Sequence, residues 1–263
     1  MTTPAILTEI DPQGVATLTM NRPEVHNAFD DLLIAALTAE LKRLEEDPRV
    51  RVVILAGSGR SFSAGADLAW MRRMADYSHA ENLNDALGLA ALMQTLYALK
   101  KPTIARVQGA AYGGGVGLVA CCDMAIASER ATFCLSEVKL GLVPAVISPY
   151  VVAAIGPRAA RRYFQSAEVF PAAEACRWGL VHEVVAEEKL AATVAALAAT
   201  LLQNGPIAMA AAKQLVERVA AGGIDADLIR DTAERIAGIR ASAEGKEGLS
   251  SFLEKRQPAW VKG

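Results

Sequence analysis

Residues 102–128, PTIARVQGAAYGGGVGLVACCDMAIAS, contain the pattern that decides the fold. The apolar runs at residues 102–108 and 124–128 are typical of short buried β-strands, and the small residues 113–122 between them are typical of a helix. Strands that alternate with helices in this way are typical of layered α/β proteins. The stretch therefore predicts an α/β or mixed layered core.

The residues before this stretch repeat the same alternation. Residues 8–10 and 15–20 predict two strands around a turn at Pro12-Gln-Gly14, and the apolar run 51–57 predicts a buried strand. A helix is predicted from Asp31, because apolar residues recur there at helical spacing, namely Ile34, Leu37, Leu41 and Leu44. Two more helices are predicted over about residues 67–75 and 81–99.

The residues after this stretch change character. The last predicted strand covers residues 181–185, and only helices follow, predicted at 189–202, 206–220, 225–239 and 244–255. We therefore expect a core with the active site in residues 1–188 and an all-helical region in residues 189–263. Such a helical tail needs an apolar partner, which the core or another subunit would supply.

Composition and charge exclude several classes of protein. Of the 263 residues, 52% are hydrophobic and 21% are charged, which excludes a disordered chain. The 27 basic and 29 acidic side chains leave a net charge of −2, so no positive field attracts nucleic acid. The uncharged run Leu140–Pro157 contains three prolines, so we expect no membrane helix there.

The first residues of the chain and its cysteines bear on the cellular compartment in which the protein works. The first eleven residues contain no basic region followed by an apolar segment, so no secretory signal is predicted. The four cysteines form neither a disulfide scaffold nor a zinc-binding spacing. We therefore expect buried reduced thiols, no bound metal and a cytoplasmic location.

Two segments have the composition of a functional site, residues 62–68 and 109–118. Both consist mainly of small, uncharged residues, and both lie just before predicted helices. Three consecutive glycines that open a helix lower its stability by about 1 kcal/mol each relative to alanine. Free N–H groups at a helix N-terminus suit an oxyanion, and two such amides from separate loops would form an oxyanion hole. Alternatively, the glycines only permit tight packing of the helix on the sheet.

Two other kinds of site have weaker support in the sequence. Gly115-Val-Gly117-Leu-Val-Ala120 fits a dinucleotide-binding pattern with Glu137 as the ribose-binding acid. However, the predicted strand ends near Gln108, several residues before the first glycine of the motif. A serine hydrolase has no support, because the chain lacks a Gly-x-Ser-x-Gly motif and its three histidines lie in unrelated contexts.

Glu137 is the candidate acid–base residue. It lies in the apolar segment Phe133–Leu140, close after the two glycine-containing loops. Alternatively, it is a surface acid paired with Lys139, or an acid in the first turn of a helix. Asp67 and Asp123 are better interpreted as local caps or structural acids.

Motifs along the whole chain show a family likeness. From about residue 5 to residue 258 the sequence resembles the crotonase (enoyl-CoA hydratase/isomerase) superfamily. The motifs are Asn21-Arg-Pro-x-x-x-Asn27-Ala28, residues 62–68, Gly109-x-x-x-Gly-Gly-Gly115 with Cys122-Asp123, residues 137–144, Ala175-x-x-x-Gly-Leu-Val181 and residues 247–256.

The resemblance implies a fold and a substrate class. It implies a crotonase-like spiral of ββα repeats with a C-terminal helical trimerisation region, assembled as a homotrimer or homohexamer. It also implies an acyl-CoA thioester as the substrate, with coenzyme A as part of that substrate and no metal or redox cofactor.

The resemblance also implies roles for residues. The backbone amides of Ala66 and Gly114 would form the oxyanion hole, and Glu137 would be the catalytic acid–base group. Contacts with coenzyme A are implied for Arg22, Ala28, Ala64, Ala66, Asp67, Leu68, Phe252 and Lys255. Of these, Phe252 and Lys255 would approach the coenzyme A of a neighbouring subunit, or they are ordinary helix surface.

The chain departs from the family pattern at three places. The first of the family's two glutamates is replaced by Gly117, a family lysine by Ala69, and a glycine-rich stretch by Ala145-Val-Ile-Ser-Pro149. Gly117→Glu should raise hydration activity if the pocket is otherwise normal, whereas a failure of this variant to fold would show that Gly117 fills a tight spot. Residues proposed to border the acyl group, with a core role as the alternative, are Trp70, Met71, Met74 and the segment Leu87–Leu99.

The expected activity is hydration of a short or branched enoyl-CoA of the methylglutaconyl-CoA type. Because one carboxylate of the usual pair is missing, a Δ3,Δ2-enoyl-CoA isomerase that uses only Glu137 is the second hypothesis. A non-catalytic acyl-CoA-binding homologue is the third.

Overall fold

The computed structural model describes residues 4–220 and 222–261. The other residues of the two predicted regions, 1–3, 221, 262 and 263, lie outside the described part. Nine strands are described: β1 (Ile6–Ile10), β2 (Val15–Met20), β3 (Val52–Gly57), β4 (Thr103–Val107), β5 (Ala111–Tyr112), β6 (Met124–Ser128), β7 (Thr132–Cys134), β8 (Phe170–Pro171) and β9 (Glu183–Val185).

The strands form two sheets. The larger sheet has the order β1-β2-β3-β4-β6-β9, in which β1 and β2 pair antiparallel and every later pair is parallel. The smaller sheet has the order β5-β7-β8. The alternating pattern of residues 102–128 therefore corresponds to β4, a helix and β6, with β4 and β6 adjacent in one parallel sheet.

Ten α-helices connect and cover the strands in the described residues. They are α1 (Asp31–Glu46), α2 (Leu68–Met74), α3 (His79–Tyr97), α4 (Gly114–Cys121), α5 (Ser148–Ser166), α6 (Ala172–Trp178), α7 (Glu187–Leu202), α8 (Pro206–Ala220), α9 (Ala226–Ala241) and α10 (Ala243–Leu253). Short 3-10 helices cover Pro23–Val25 and Glu137–Leu140.

The large sheet is buried on both faces. Alternate side chains of a strand point to opposite faces, so Val53 and Leu55 join the main core while Val52 and Ile54 face α7. This explains why residues 51–57 are apolar without interruption. Helix α7, which lies in the predicted C-terminal region, packs on the sheet of the predicted core region. The division at residue 189 stays a prediction.

The predicted helices and strands are found with small shifts at their ends, but five elements were not predicted, namely helices α5 and α6 and strands β5, β7 and β8. Helix α5 contains Pro149 in its first turn, where no N–H is lost, and it breaks at Gly156 (φ 74°, ψ 160°) directly before Pro157. Helix α5 was not predicted because proline and glycine in a sequence usually indicate a turn or a loop. Strands β5, β7 and β8 have two or three residues each, too few to show a period in the sequence.

The described residues contain no single helix that is both long and apolar enough to cross a membrane. Helices α7 and α8 reach that length and composition only when they are taken together, and they meet at an angle of 104°.

Candidate active site

Two loops that are distant in the sequence run side by side at the candidate site. Residues Ser63 and Ala111 form a parallel bridge, in which Ser63 N donates to Ala110 O (3.0 Å) and Tyr112 N donates to Ser63 O (2.9 Å). A Cβ added to Gly113 would lie 3.9 Å from Gly65 Cα. The two segments singled out in the sequence, residues 62–68 and 109–118, are therefore in contact.

Asn27 holds the first of these loops. Its side chain is fully buried, and its Nδ2 donates to the carbonyl oxygens of Ser58 and Ser61, each at 2.9 Å. Its backbone has φ 54°, a conformation that asparagine tolerates better than most residues. Gln108 Nε2 donates to Gly57 O (2.8 Å) and to Ser61 O (3.0 Å). Neither residue was predicted to have a role, although Asn27 lies in a motif that carries the family likeness.

Phe29 fixes the backbone on both sides of Ala66. Its N–H donates to Gly65 O and its carbonyl accepts from Asp67 N, both at 2.7 Å. Its ring is buried, and Cε2 lies 3.0 Å from where a Cβ on Gly114 would be. Phe29 therefore contacts the loops of both candidate amides. The sequence offered no sign of this role, because Phe29 reads as an ordinary core residue.

The second loop turns into α4 at Gly113. This residue has φ 50° and ψ −118°, which a residue with a side chain rarely adopts. The helix that follows has no side-chain cap at its N-terminus. Its first N–H groups therefore stay available at the positive end of the helix dipole.

The amides of Ala66 and Gly114 are free to bind a ligand. Within residues 4–220 and 222–261, neither N–H donates a hydrogen bond to a backbone or side-chain acceptor. Both lie at the junction of the two paired loops. Two free N–H donors from neighbouring loops, where they point at one oxygen, can stabilise its negative charge.

The Glu137 carboxyl lies beside this junction. Its Oε1 is 3.2 Å from the position that a Cβ on Gly113 would occupy, and its Oε2 is buried without a hydrogen-bond partner in the described residues. Burial raises the pKa of Glu137 above its ordinary value, because the charged form loses its hydration. Glu137 begins a 3-10 helix, and no ion pair with Lys139 forms in the part of the chain that the structure describes. The interpretation of Glu137 as a surface acid paired with Lys139 is therefore wrong, whereas its place in the first turn of a helix agrees with the other alternative.

Arg22 and Asp67 belong to a cluster of charges next to the Ala66 loop. Arg22 contacts Asp30 (Nη1–Oδ2 2.7 Å) and Asp67 (Nη2–Oδ2 3.2 Å), and it donates to Ala28 O at 3.0 Å. Asp67 Oδ1 also accepts from Ala69 N (2.8 Å) and so caps α2. The interpretation of Asp67 as a local cap is confirmed. Contacts of Arg22, Ala28 and Asp67 with coenzyme A stay predictions.

The other residues predicted to contact coenzyme A lie at different places. Ala64 lies in the first loop, where its N–H donates to His26 O at 3.0 Å, and Leu68 begins α2 with 71% of its surface exposed. Phe252, which is 81% exposed, and Lys255 lie at the end of α10, which packs on α8 and α9. In the described residues neither side chain forms a hydrogen bond or an ion pair with the two loops, so contact with the coenzyme A of a neighbouring subunit stays a prediction, with ordinary helix surface as the alternative.

The dinucleotide-binding interpretation is not compatible with the packing of α4. Gly115 and Gly117 lie inside the helix. In a dinucleotide-binding motif these two glycines would lie in the turn that precedes the helix. A Cβ on Gly115 would lie 2.7 Å from Ser63 O, so Gly115 permits the helix to contact the first loop. The sequence predicted that several residues without a strand separate Gln108 from the first glycine of the motif. This is only partly correct, because the short strand β5 ends directly before Gly113.

The residues proposed to border an acyl group divide between core and surface. Trp70 is buried, and its Nε1 donates to Asp85 Oδ1 at 3.1 Å, which joins α2 to α3. Met93 is fully buried in the main core, whereas Leu87 is 58% exposed. Met71 and Met74 are partly buried on α2. For Met93 the alternative of a core role is therefore correct.

A cavity of about 600 Å³ lies at the other end of α4 and is not the candidate site. It is bordered by Cys121, Cys122 and residues of α8. Its central charged groups satisfy each other, since Lys213 Nζ lies 2.9 Å from Asp123 Oδ1. Burial also raises the pKa values of the Cys121 and Cys122 thiols, so neither is a reactive thiolate. This cavity offers no counterpart to the free amides and the free carboxyl.

Comparison with known families gives one match over nearly the whole chain. The family model described as "Enoyl-CoA hydratase/isomerase" matches residues 11–263.

Comparison with individual proteins agrees with the family match. A crystal structure of a crotonase-type protein from Legionella pneumophila is 50% identical and covers 97% of this chain and 98% of its own, with a TM-score of 0.93. An enoyl-CoA hydratase structure from Shewanella pealeana is 46% identical and covers 98% of this chain and 96% of its own, with a TM-score of 0.95. A 1,2-epoxyphenylacetyl-CoA isomerase from Escherichia coli is 35% identical over 97% of this chain and 98% of that protein. The predicted crotonase-like α/β fold is therefore confirmed.

Proposed function

The chain belongs to the enoyl-CoA hydratase/isomerase family, and from this membership we propose that it is an enoyl-CoA hydratase acting on a short or branched acyl group. One observation carries the proposal: two free backbone amides from separate loops lie beside Glu137, whose Oε2 is buried without a hydrogen-bond partner in the described residues. The 46% identity with an enoyl-CoA hydratase supports hydration as the reaction.

In the first step, the thioester oxygen accepts hydrogen bonds from the amides of Ala66 and Gly114. The ionised Glu137 carboxylate takes a proton from water as the water oxygen forms a bond to C3. The π electrons of the C2=C3 bond move to the thioester, and the negative charge develops on the oxygen between the two amides. Loss of one such donor typically lowers the rate by about 10²–10³.

In the second step, the protonated Glu137 returns a proton to C2. The enolate electrons form the new C2–H bond, the thioester carbonyl is restored, and Glu137 is ionised again. The buried position of Glu137 suits both steps, because a raised pKa brings the carboxyl closer to the pH at which it must accept and donate. The mechanism needs no metal or redox cofactor.

Coenzyme A is the part of the substrate that the remaining residues bind. In this proposal Arg22, Ala28, Ala64, Asp67 and Leu68 line its path to the oxyanion site. Arg22 and Asp67 act largely by holding the loop of Ala66, since each already has ionic or backbone partners within the chain. Phe252 and Lys255 contact the coenzyme A of a neighbouring subunit.

The test is a panel of enoyl-CoA thioesters that includes crotonyl-CoA, a β-branched short-chain ester and methylglutaconyl-CoA. We expect loss of the enoyl absorbance and formation of the 3-hydroxyacyl-CoA, with oxygen-18 incorporated from labelled water. Binding of these esters without any hydration or double-bond migration would contradict the proposal and support the non-catalytic acyl-CoA-binding alternative.

A second candidate is a Δ3,Δ2-enoyl-CoA isomerase. The observation that favours it is the absence of a carboxylate at Gly117, since Glu137 alone can move a proton between C2 and C4 without water. The similarity to an isomerase from Escherichia coli also supports this alternative. A 3-enoyl-CoA incubated in deuterium oxide distinguishes the two: rapid double-bond migration with no 3-hydroxy product would favour the isomerase.

A further inference from the structure

Gly117 lies where three helices meet. It is buried in the second turn of α4, and a Cβ there would lie 2.3 Å from Ile147 Cγ2, 2.9 Å from Ile147 Cβ and 3.1 Å from Met93 Cε. Met93 belongs to α3, and Ile147 lies directly before α5. The space beside Gly117 is therefore closed, which agrees with the alternative that Gly117 fills a tight spot.

Ile147 cannot easily move away from Gly117. It is 2% exposed, and its β-branched side chain has a restricted χ1 angle. The contact at 2.9 Å involves its Cβ, which moves only with the backbone. That backbone is held in turn, because Val151 N donates to Ile147 O (3.1 Å) at the start of α5.

Gly117 also lies one helical turn from Gly113, the glycine that the Glu137 carboxyl approaches. The Gly117 N–H donates to Gly113 O at 3.2 Å, and a Cβ on Gly113 would lie 3.2 Å from Glu137 Oε1. Position 117 is therefore close along α4 to the candidate site, and Ile147 occupies the space that a side chain at 117 would need.

We propose that Ile147, with Met93, forms an apolar plug that excludes an acidic side chain from position 117, so that Glu137 acts without a second carboxylate from α4. The plug explains two departures of the sequence together, the glycine at 117 and the apolar stretch that contains Ile147. This inference rests on the proposed function for its reaction, but the packing on which it depends can be measured without any substrate.

The first experiment is a double-mutant cycle read by thermal unfolding. Gly117→Glu should lower the Tm by roughly 5–10 °C, as overpacking of a core does in a domain of this size. In the background of Ile147→Gly, which removes the Cβ as well as the branches, the same change should lower the Tm much less. The matched control is Gly238→Glu, at an exposed helical glycine with nothing within 4 Å, which should leave the Tm nearly unchanged.

The second experiment is the pH dependence of hydration. The plot of kcat against pH should show one carboxyl ionisation on its acid side for the wild type. The double variant Gly117→Glu/Ile147→Gly should show a second one. Equal loss of Tm from Gly117→Glu in both backgrounds, or two carboxyl ionisations in the wild type, would overturn the proposal. A folded double variant with an unchanged pH profile would also overturn it. If the wild type hydrates no enoyl-CoA, the proposed function fails, while the Tm cycle still decides whether the plug exists.

Discussion

At the scale of single residues, Glu137 combines two properties that a structural acid avoids. Its Oε2 is buried, and this oxygen has no hydrogen-bond partner in the described residues. A buried polar group of this kind typically costs about 1–3 kcal/mol when it has no partner. Such a cost is commonly tolerated at functional sites, where a ligand or water supplies the missing contact.

Glu137→Gln should abolish most of the activity and leave substrate binding intact. An amide can neither accept a proton from water nor return one to C2, so we expect kcat to fall by about 10²–10⁴. The affinity for the enoyl-CoA should be unchanged, because the free amides remain. Steady-state kinetics and calorimetric titration measure the two quantities. A variant as active as the wild type would remove Glu137 from the mechanism.

The same substitution should change how stability depends on pH. Because burial raises the pKa of Glu137 in the folded chain, the folded state keeps this proton to a higher pH than the unfolded state does. The wild type therefore loses stability as the pH rises through the unfolded and then the folded pKa, and glutamine avoids this loss.

We accordingly expect the Tm of Glu137→Gln minus that of the wild type to be larger at neutral pH than at a pH below the ordinary carboxyl range. Glu129→Gln, at an exposed residue, is the control and should show no such trend. A difference that is the same at both pH values would mean that burial does not disfavour the charged form of Glu137.

At the scale of elements, the N-terminus of α4 depends on one backbone conformation. Gly113 has a positive φ and connects β5 to the helix, so the direction of the Gly114 amide follows from its geometry. The contact with Glu137 Oε1 adds a second reason for glycine at this position, since a Cβ would approach that oxygen to 3.2 Å.

Gly113→Ala should therefore cost both stability and activity. Forcing alanine into this conformation should lower the free energy of unfolding by about 1–3 kcal/mol. Displacement of the Gly114 amide should lower kcat by about 10²–10³. Gly179→Ala, at a positive-φ glycine that ends α6, is the matched control and should lower stability alone. Equal activity in the two variants would argue against an oxyanion role for this helix end.

At the scale of the whole molecule, the C-terminal helices leave apolar side chains exposed. Helix α7 buries its apolar face on the large sheet, but α8 has no buried residue and α9 buries only Leu228. Exposed apolar residues in and beside α8–α10 include Ile207, Val216, Val219, Ile224, Ile229, Ile236, Leu249, Phe252 and Leu253. Apolar exposure of this extent is typical of an interaction surface, and assembly as a homotrimer or homohexamer stays a prediction.

Light scattering of the purified protein should give the mass of a trimer or a hexamer. Ile229 and Ile236 lie seven residues apart on one face of α9, so Ile229→Glu/Ile236→Glu should shift the mass toward the monomer. Glu234→Arg, an exposed change of charge on another face of the same helix, should not. A monomeric wild type would contradict the predicted assembly.

The local sequence determined most of the helices and strands, because their apolar periods of 3.6 and 2 are properties of consecutive residues. It also singled out Glu137 and both candidate loops through composition and family likeness. The roles of Asn27 and Phe29 became visible only in the tertiary structure, because their contacts join segments more than thirty residues apart. The closed space at Gly117 was likewise decided by tertiary packing, since the side chain that fills it comes from residue 147. A sequence pattern encodes which residues face inward, whereas only the folded chain determines which of them meet.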